Sequence, residues 1–462
     1  MDRRGFLGLA AASALRPAAD GPVQALAHEL DGHVVAQGAS GYAAALRLWD
    51  TRFDDLRPRA IAYCANAADV QRTVRWGRAN GVRIVPRSGG HSYGGYSSGD
   101  GVVVADVSLL HGVSVGAGNA AVGAGATLIA VYAELASYGV TIPGGSCPTV
   151  GIAGLALGGG YGYASRLYGL TADNVRSMRI VTADGSLLTC DPSTHPDLFW
   201  ACRGGGGGNF GIATSFTFAT HPAPTVSTYE IQWPWKQAVS AVAAWQAFAP
   251  HAPDALTSGL DLIADTTGPH VVAAGQYVGA KSALRKLIAP LASTGTPTIV
   301  KTTTLTYLEA MLHWAGCRDA SSCTSGRTTF DARSDYVDAP LSRAAISLLT
   351  EAIGKHEGST AAIYLDAYGG AINRVAKSAT AFVHRDALFS IQYTAKASFG
   401  WLDALYAAMR PHVSGYAYQN YIDPKLASWQ HAYYGANLAR LQAVKRTYDP
   451  HDAFRFAQSI PS

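Results

Sequence analysis

Histidine and cysteine are two side chains able to form covalent bonds to an electrophilic ligand, and this chain places one of each in a glycine-rich loop. The first loop runs Pro86-Arg-Ser-Gly-Gly-His91-Ser-Tyr-Gly-Gly-Tyr96, the second Gly144-Gly-Ser-Cys147-Pro-Thr-Val-Gly151. Each follows a short β-branched run, Val82-Arg-Ile-Val-Pro86 and Val140-Thr-Ile-Pro143, so bare backbone N–H groups emerge at a strand end. Such a nest accepts phosphate or the carbonyl edge of a flavin. Neither loop alone says much, because Gly-Gly pairs commonly mark turns and a lone His or Cys is commonly just packed. Together they read as two covalent tethers, His91 and Cys147, for one flavin.

The same residues resemble the berberine bridge enzyme-like flavoprotein oxidases, which share the PCMH-type FAD-binding fold of vanillyl-alcohol oxidase. The resemblance covers most of the chain. It continues through Gly151-Ile-Ala-Gly-Leu-Ala-Leu-Gly-Gly-Gly-Tyr-Gly162, Gly169-Leu-Thr-Ala-Asp-Asn174 and Arg203-Gly-Gly-Gly-Gly-Gly-Asn-Phe-Gly211. It closes on Tyr433-Tyr-Gly-Ala-Asn437, Arg440-Leu441, Tyr448-Asp-Pro450 and Gln458-Ser-Ile460. In that family the loop histidine bonds the flavin 8α-methyl and the loop cysteine bonds C6, roles carried here to His91 and Cys147. The resemblance also implies that Arg87, Ser88, Gly89, Gly90, Ser92, Gly145, Ser146, Gly151, Gly154, Gly158, Gly160 and Val181 surround the FAD. Asn420 and Asn437 would hydrogen-bond ring or ribityl oxygens, and Tyr434 would cover the ring. Val150 stands where relatives place a residue beside flavin C4a. Valine leaves room there for O2, whereas family dehydrogenases carry a larger leucine, so an oxidase producing hydrogen peroxide is implied.

Oxidising an alcohol needs a group that takes the hydroxyl proton while hydride leaves carbon for flavin N5. By resemblance to the family's sugar and cannabinoid oxidases that base is Tyr421, with Tyr161, Tyr368 and Asp366 as candidates to orient it or to bind substrate. A free tyrosine has a pKa of about 10, so Tyr421 needs nearby positive potential or hydrogen-bond donors to act at neutral pH. Each of these aromatics could instead be core with a satisfied hydroxyl. Two covalent links should favour the reduced ring: at about 30 mV per 1.4 kcal/mol, a shift on the order of 100 mV changes hydride acceptance substantially.

These residues need a scaffold, and 462 residues with 48% hydrophobic content can bury sizeable cores. The pattern predicts an α+β fold, a flavin-binding unit plus a substrate domain with an antiparallel sheet covered by helices; the resemblance implies that the first is a PCMH-type FAD-binding domain of two α/β subdomains. The expected boundaries are a twin-arginine signal and leader over 1–30, the FAD-binding domain over 56–221, the substrate domain over 222–412, and a segment over 413–462 returning to the FAD domain. In the first domain, strands at Ala60 to Cys64, Val82 to Pro86, Val102 to Val107 and Met178 to Thr182 alternate with helices at Ala68 to Asn80 and Leu128 to Tyr138, and Asp184-Gly185 marks a hairpin. In the second, Thr228 to Gln232 and His270 to Ala274 read as strands, and Leu341 to His356 and Trp401 to Met409 as amphipathic helices. Gly206-Gly-Gly-Asn-Phe-Gly211 satisfies the dinucleotide fingerprint, yet it runs into the β-rich Ile212 to Phe218 instead of a helix. It therefore reads as a close-approach turn near the flavin, with no nicotinamide site.

Of six cysteines, Cys317 and Cys323 are a plausible disulfide in an exported protein, while Cys190 and Cys202 could pair or stay buried as thiols. No metal-ligand spacing occurs, so no metal is expected. The opening Met1-Asp-Arg-Arg-Gly-Phe-Leu-Gly-Leu-Ala-Ala-Ala-Ser-Ala-Leu15 reads as a twin-arginine export signal, too short to span a bilayer, which predicts a secreted protein whose partner is the export machinery. A net charge of +4 with 15% charged residues and no basic stripe argues against nucleic acid. The expected function is an exported bicovalent FAD oxidase acting on an alcohol, aldose or oligosaccharide and on O2, with 23 tyrosines and nine tryptophans available to stack on sugar rings. The alternatives are a tailoring oxidase of secondary metabolism and a flavin-bearing binding protein without turnover.

Overall fold

The computed structural model describes residues 21–356, 360–396 and 399–462. The Met1–Leu15 stretch expected as an export signal lies outside them.

A four-stranded sheet begins the fold, with strands in the order His33–Ala36, Ala60–Tyr63, Val103–Asp106, Ile84–Arg87. The last three are parallel, which requires a crossover between Ala60–Tyr63 and Ile84–Arg87. Helix Ala67–Ala79 supplies it: Asn66 caps its start by accepting from the Asp69 N–H at 3.0 Å, and Val70 and Val74 bury against the sheet. A five-stranded antiparallel sheet follows, ordered Val113–Gly116, Asn119–Gly123, Ile212–Ala219, Val175–Val181, Leu187–Cys190. Its last two strands are joined through the turn holding Gly185 at φ 81°. The Gly206–Gly211 stretch does lead into strand Ile212–Ala219 as expected, and not into a helix.

One apolar core serves both sheets and collects chain from far away, including Met311, Tyr433, Leu441, Phe454 and Ile460. It also takes in helix Gly21–Glu29. Val23 and Leu26 are buried there, and Trp76 donates its indole N–H to the Pro22 carbonyl at 2.9 Å. Part of the stretch expected as leader is thus folded into the core, because its apolar side chains find a packing site beside helix Ala67–Ala79.

The second core lies under a seven-stranded antiparallel sheet, ordered Ile299–Leu305, Val226–Trp233, Gly268–Tyr277, Leu256–Asp265, Ala361–Ala367, Phe389–Ala395, Asp331–Val337. Helices Ala238–Phe248, Lys281–Ala292, Arg343–Gly354 and Gly400–Met409 cover one face through Trp245, Ile288, Leu349 and Leu402. Strand alternation decides what the other face carries. In Ala361–Ala367, Ile363 and Leu365 are fully buried under the helices while Tyr364 and Asp366 point the opposite way.

Cys317 and Cys323 form a disulfide with their Cα atoms 5.3 Å apart, and Cys64, Cys190 and Cys202 are buried thiols. Among the described residues no helix is long and apolar enough to cross a membrane, and no cluster could hold a metal ion.

Candidate active site

Between the glycine loops and the uncovered face of the seven-stranded sheet lies a cavity of about 950 Å³. Arg87, Ser88, Gly89, Gly90, His91 and Ser92 line one side of it. So do Gly145, Ser146, Cys147, Val150 and Gly151 from the second loop, Gly154 from helix Ile152–Leu157 that follows it, and Gly206 to Gly208 from the third. The first two loops touch each other, and Gly89 is where they touch: a Cβ there would stand 2.6 Å from the Thr149 carbonyl oxygen. Only glycine lets the backbones meet so closely.

Burial brings the His91 imidazole down to about 4, so the ring is neutral at ordinary pH. Trp49 stacks on it at 5.1 Å between ring centres, and its Nε2 is 2.8 Å from Thr149 Oγ1. Cys147 shows its surface to the cavity though it sits deep within the protein, and that enclosure raises its thiol above the usual range. The donors and space suit FAD. Arg87 lines the cavity, its Nε is spent on Asp106 at 2.5 Å, and its buried Nη1 has no protein partner. Gly154 and Gly207 offer bare backbone, with nothing closer than 3.8 Å to where a Cβ would be.

Not every residue assigned to the cofactor borders this space. Gly158 and Gly160 pack against Asn420 and Thr171, and Gly160 (φ 84°) donates its N–H to the Tyr418 hydroxyl at 2.8 Å. Val181 ends a strand whose carbonyl abuts Gly211. Asn437 turns its amide onto the carbonyls of Lys377, Thr380 and Ala381 at 2.8–3.3 Å, which pins the C-terminal segment to that stretch of chain and leaves no side-chain donor for a ligand. Asn420 and Tyr434 do line the cavity; Asn420 donates to the Leu155 carbonyl and the Tyr418 hydroxyl, and the Tyr434 hydroxyl to the Gly205 carbonyl.

Of the four catalytic candidates, Tyr421, Tyr161 and Asp366 border the cavity. Tyr368 stands behind them, fully buried, stacked on Tyr161 at 5.0 Å and hydrogen-bonded to the Tyr336 hydroxyl at 3.1 Å. The Tyr161 hydroxyl donates to the Ala367 carbonyl, which fixes its ring. Electrostatics run against Tyr421 as an unaided base. Burial, then Tyr93, Asp366, Tyr418 and Tyr368, push its hydroxyl well above 10. Asp366 behaves differently: burial raises its carboxyl to about 7, where it exchanges a proton under ordinary conditions. Asp261, on the neighbouring strand, is also pushed up to about 7 by burial and by Asp366.

Several lining residues were not singled out from the sequence. Tyr93 stacks on Tyr421 at 5.4 Å with rings 7° from parallel, and takes a hydrogen bond from Gln392 at 3.0 Å. Asp261, Tyr364 and Gln392 follow one another across three paired strands. Trp314 stacks on Tyr163 at 4.1 Å. Of these only Tyr93 carried a local signal, its place within the His91 loop.

A family model for an FAD binding domain matches residues 58–191, and one described as berberine and berberine like matches residues 417–461. An FAD-linked oxidoreductase of Bacillus subtilis, YgaK, is 36% identical over 87% of this chain and 91% of its own length. The chain belongs to the berberine bridge enzyme-like FAD-linked oxidoreductases. Within this family a chitooligosaccharide oxidase of Gibberella zeae is 30% identical over 92% of this chain and 91% of its own. The solved structure of Physcomitrella patens BBE-like 1 superposes with a TM-score of 0.89, at 33% identity over 95% of this chain and 99% of that one. The protein is therefore an FAD-linked oxidoreductase with the PCMH-type fold of its family.

Proposed function

We propose that this enzyme carries FAD linked to both His91 and Cys147, oxidises the hemiacetal of an aldose or oligosaccharide to a lactone, and passes the electrons to O2 with release of hydrogen peroxide. The observation that carries this reading is the facing of two unlike walls across one cavity: glycine loops bearing His91 and Cys147 on one side, and polar Asp261, Tyr364, Asp366 and Gln392 on the other. Relatives named chitooligosaccharide and glucooligosaccharide oxidases support the substrate class.

Bound against the glycine loops, the flavin would accept a hydride at N5. The remaining chemistry belongs to the protein. Tyr421 keeps its proton at neutral pH, held in place by Tyr93 and Tyr418, and its hydroxyl meets the substrate oxygen. Asp366 serves as the proton acceptor, either directly or through Tyr421, because its ionised form is populated above about pH 7. Tyr161, fixed by its bond to Ala367, walls the same space, and Gln392 and Tyr364 offer polar groups for sugar hydroxyls. Val150 leaves the site open to O2.

Export through the Met1–Leu15 signal belongs to the same proposal, and the Cys317–Cys323 disulfide suits an oxidising compartment. A peroxide assay over aldoses, cello-, xylo- and chito-oligosaccharides and non-sugar alcohols tests the reading. Turnover of at least one sugar series is expected; reaction confined to non-sugar alcohols, or no peroxide with any of them, contradicts it.

A further inference from the structure

The segment stapled by Cys317–Cys323 belongs to the chain between the seven-stranded sheet's strands, yet it reaches across to the His91 loop on two sides. At the edge of the imidazole, Nε2 meets Thr149 Oγ1 at 2.8 Å, and Thr149 Oγ1 in turn meets Ser325 Oγ. At its face, Trp49 stacks on the ring. Trp49 is itself held by that segment: its carbonyl accepts from the Thr328 N–H at 3.3 Å, while Arg327 Nε donates to the adjacent Leu48 carbonyl at 2.7 Å. Cys323 anchors the base of the segment in a small apolar cluster with Ile129 and Leu312.

We propose that Thr149 and Ser325 are positioning residues for His91: they fix its tautomer and carry away its proton when the flavin is attached. The proposal rests on the reading that His91 bears the flavin. A neutral imidazole has one N–H and one lone pair. With Nε2 engaged by Thr149, Nδ1 is the nitrogen with no hydrogen-bond partner among the described residues. Attack through Nδ1 requires the proton on Nε2, so Nε2–H donates to Thr149 and the Thr149 hydroxyl donates to Ser325. Forming the bond from Nδ1 to the flavin 8α-carbon would break one C–H bond of that carbon and the Nε2–H bond of the ring; the C–H electron pair and the C–H proton would be taken up by the flavin, and O2 would remove both electrons with that proton and one more from solvent, leaving as hydrogen peroxide. The imidazole proton passes from Nε2 to Thr149 and on to Ser325, which is half-buried and meets solvent. In the linked state the sense reverses: Nε2 holds a lone pair and accepts from Thr149, which accepts from Ser325.

The test uses full-length protein carrying Cys147→Ala, in which acid-stable flavin reports the His91 link alone. The readout is acid-stable flavin as a fraction of all bound flavin, so retention of released flavin shows that the site folds. Adding Thr149→Val is expected to lower that fraction roughly tenfold to a hundredfold, as loss of a histidine's orienting partner does at metal sites. Thr149→Ser should restore it, Ser325→Ala should give a smaller loss, and alkaline medium should rescue Thr149→Val by taking the Nε2 proton directly. Attachment unchanged in Thr149→Val, or a loss that neither serine nor high pH repairs, overturns the relay. If Thr149→Val binds no flavin at all, Ser325→Ala decides, since it leaves the His91 contact in place. Absence of acid-stable flavin in the Cys147→Ala parent is a different result: it removes the His91 attachment on which the relay depends.

Discussion

Backbone forms one wall of the cavity and side chains form the other. On the cofactor wall the ligand surface is made of consecutive glycines, and the reactive groups His91 and Cys147 protrude from it. On the sheet wall every ligand-facing group is the alternate residue of a strand, so Asp261, Tyr364, Asp366 and Gln392 come together only through register. Burial also acts in opposite senses on the two walls, because it disfavours whichever form is charged. It keeps His91 neutral by lowering its pKa to about 4, and it raises Asp366 and Asp261 to about 7. The first effect leaves a nitrogen with a free lone pair, and the second a carboxyl able to trade protons at the working pH. A cofactor that stays can be held by backbone and covalent bonds; a substrate that must turn over is held by side chains that titrate.

The largest expected effect tests the cofactor wall. His91→Ala and Cys147→Ala should each retain one acid-stable link, and the double variant should release all its flavin on acid precipitation. Peptide mapping that finds flavin still attached in the double variant would place the tethers elsewhere. On the sheet wall, Asp366→Asn should slow flavin reduction by substrate about 10²- to 10⁴-fold, the usual worth of a positioned acid or base. Tyr421→Phe should slow it as well while leaving flavin binding intact, and stopped-flow bleaching of the flavin measures both. Equal rates in wild type and Asp366→Asn would move the base to another group.

Legibility followed the same division. The two glycine loops could be read as lining one ligand site because their residues are contiguous and glycine is informative wherever backbone must approach a ligand. Helix Ala67–Ala79, the Gly185 turn and the Cys317–Cys323 disulfide were legible for similar reasons, each being set by residues close in sequence. Asp261 was not: between Leu260 and Leu262 it looks like any outward-facing strand residue, and only the pairing of Gly259 with Asp366 brings it to the site. Asn437 shows the converse, a polar residue in a family motif whose amide is used up on three backbone carbonyls. Helix Gly21–Glu29 was taken with the leader because its composition is unremarkable; its place in the core depends on a partner helix many residues later.

Two smaller effects sharpen the contrast. Val150→Leu should leave reduction by substrate unchanged and slow reoxidation by O2 about tenfold, or some 1.4 kcal/mol of barrier; oxygen-mixing kinetics of the pre-reduced enzyme would show it, and unaltered reoxidation would relieve Val150 of any gating role. Asp261→Asn concerns stability. A carboxyl raised from 3.8 to about 7 on folding contributes stability that is full below about pH 4 and is lost as pH rises through about 7. The variant should therefore be more stable than wild type at pH 8, by roughly 1–2 kcal/mol after allowing for its contact with the cavity, with the gap narrowing at pH 5. Thermal unfolding at the two pH values measures it, and a gap that does not narrow speaks against a buried, proton-sharing carboxyl.

The most direct measurement of the whole account is anaerobic stopped-flow reduction of the enzyme-bound flavin by an oligosaccharide substrate, followed across pH 5 to 9 in wild type and Asp366→Asn. The account predicts a wild-type limiting rate that climbs with pH through an apparent pKa of about 7 and a slow, flat profile in the variant. A wild-type profile without that rise, or a variant that keeps both rate and profile, would contradict it.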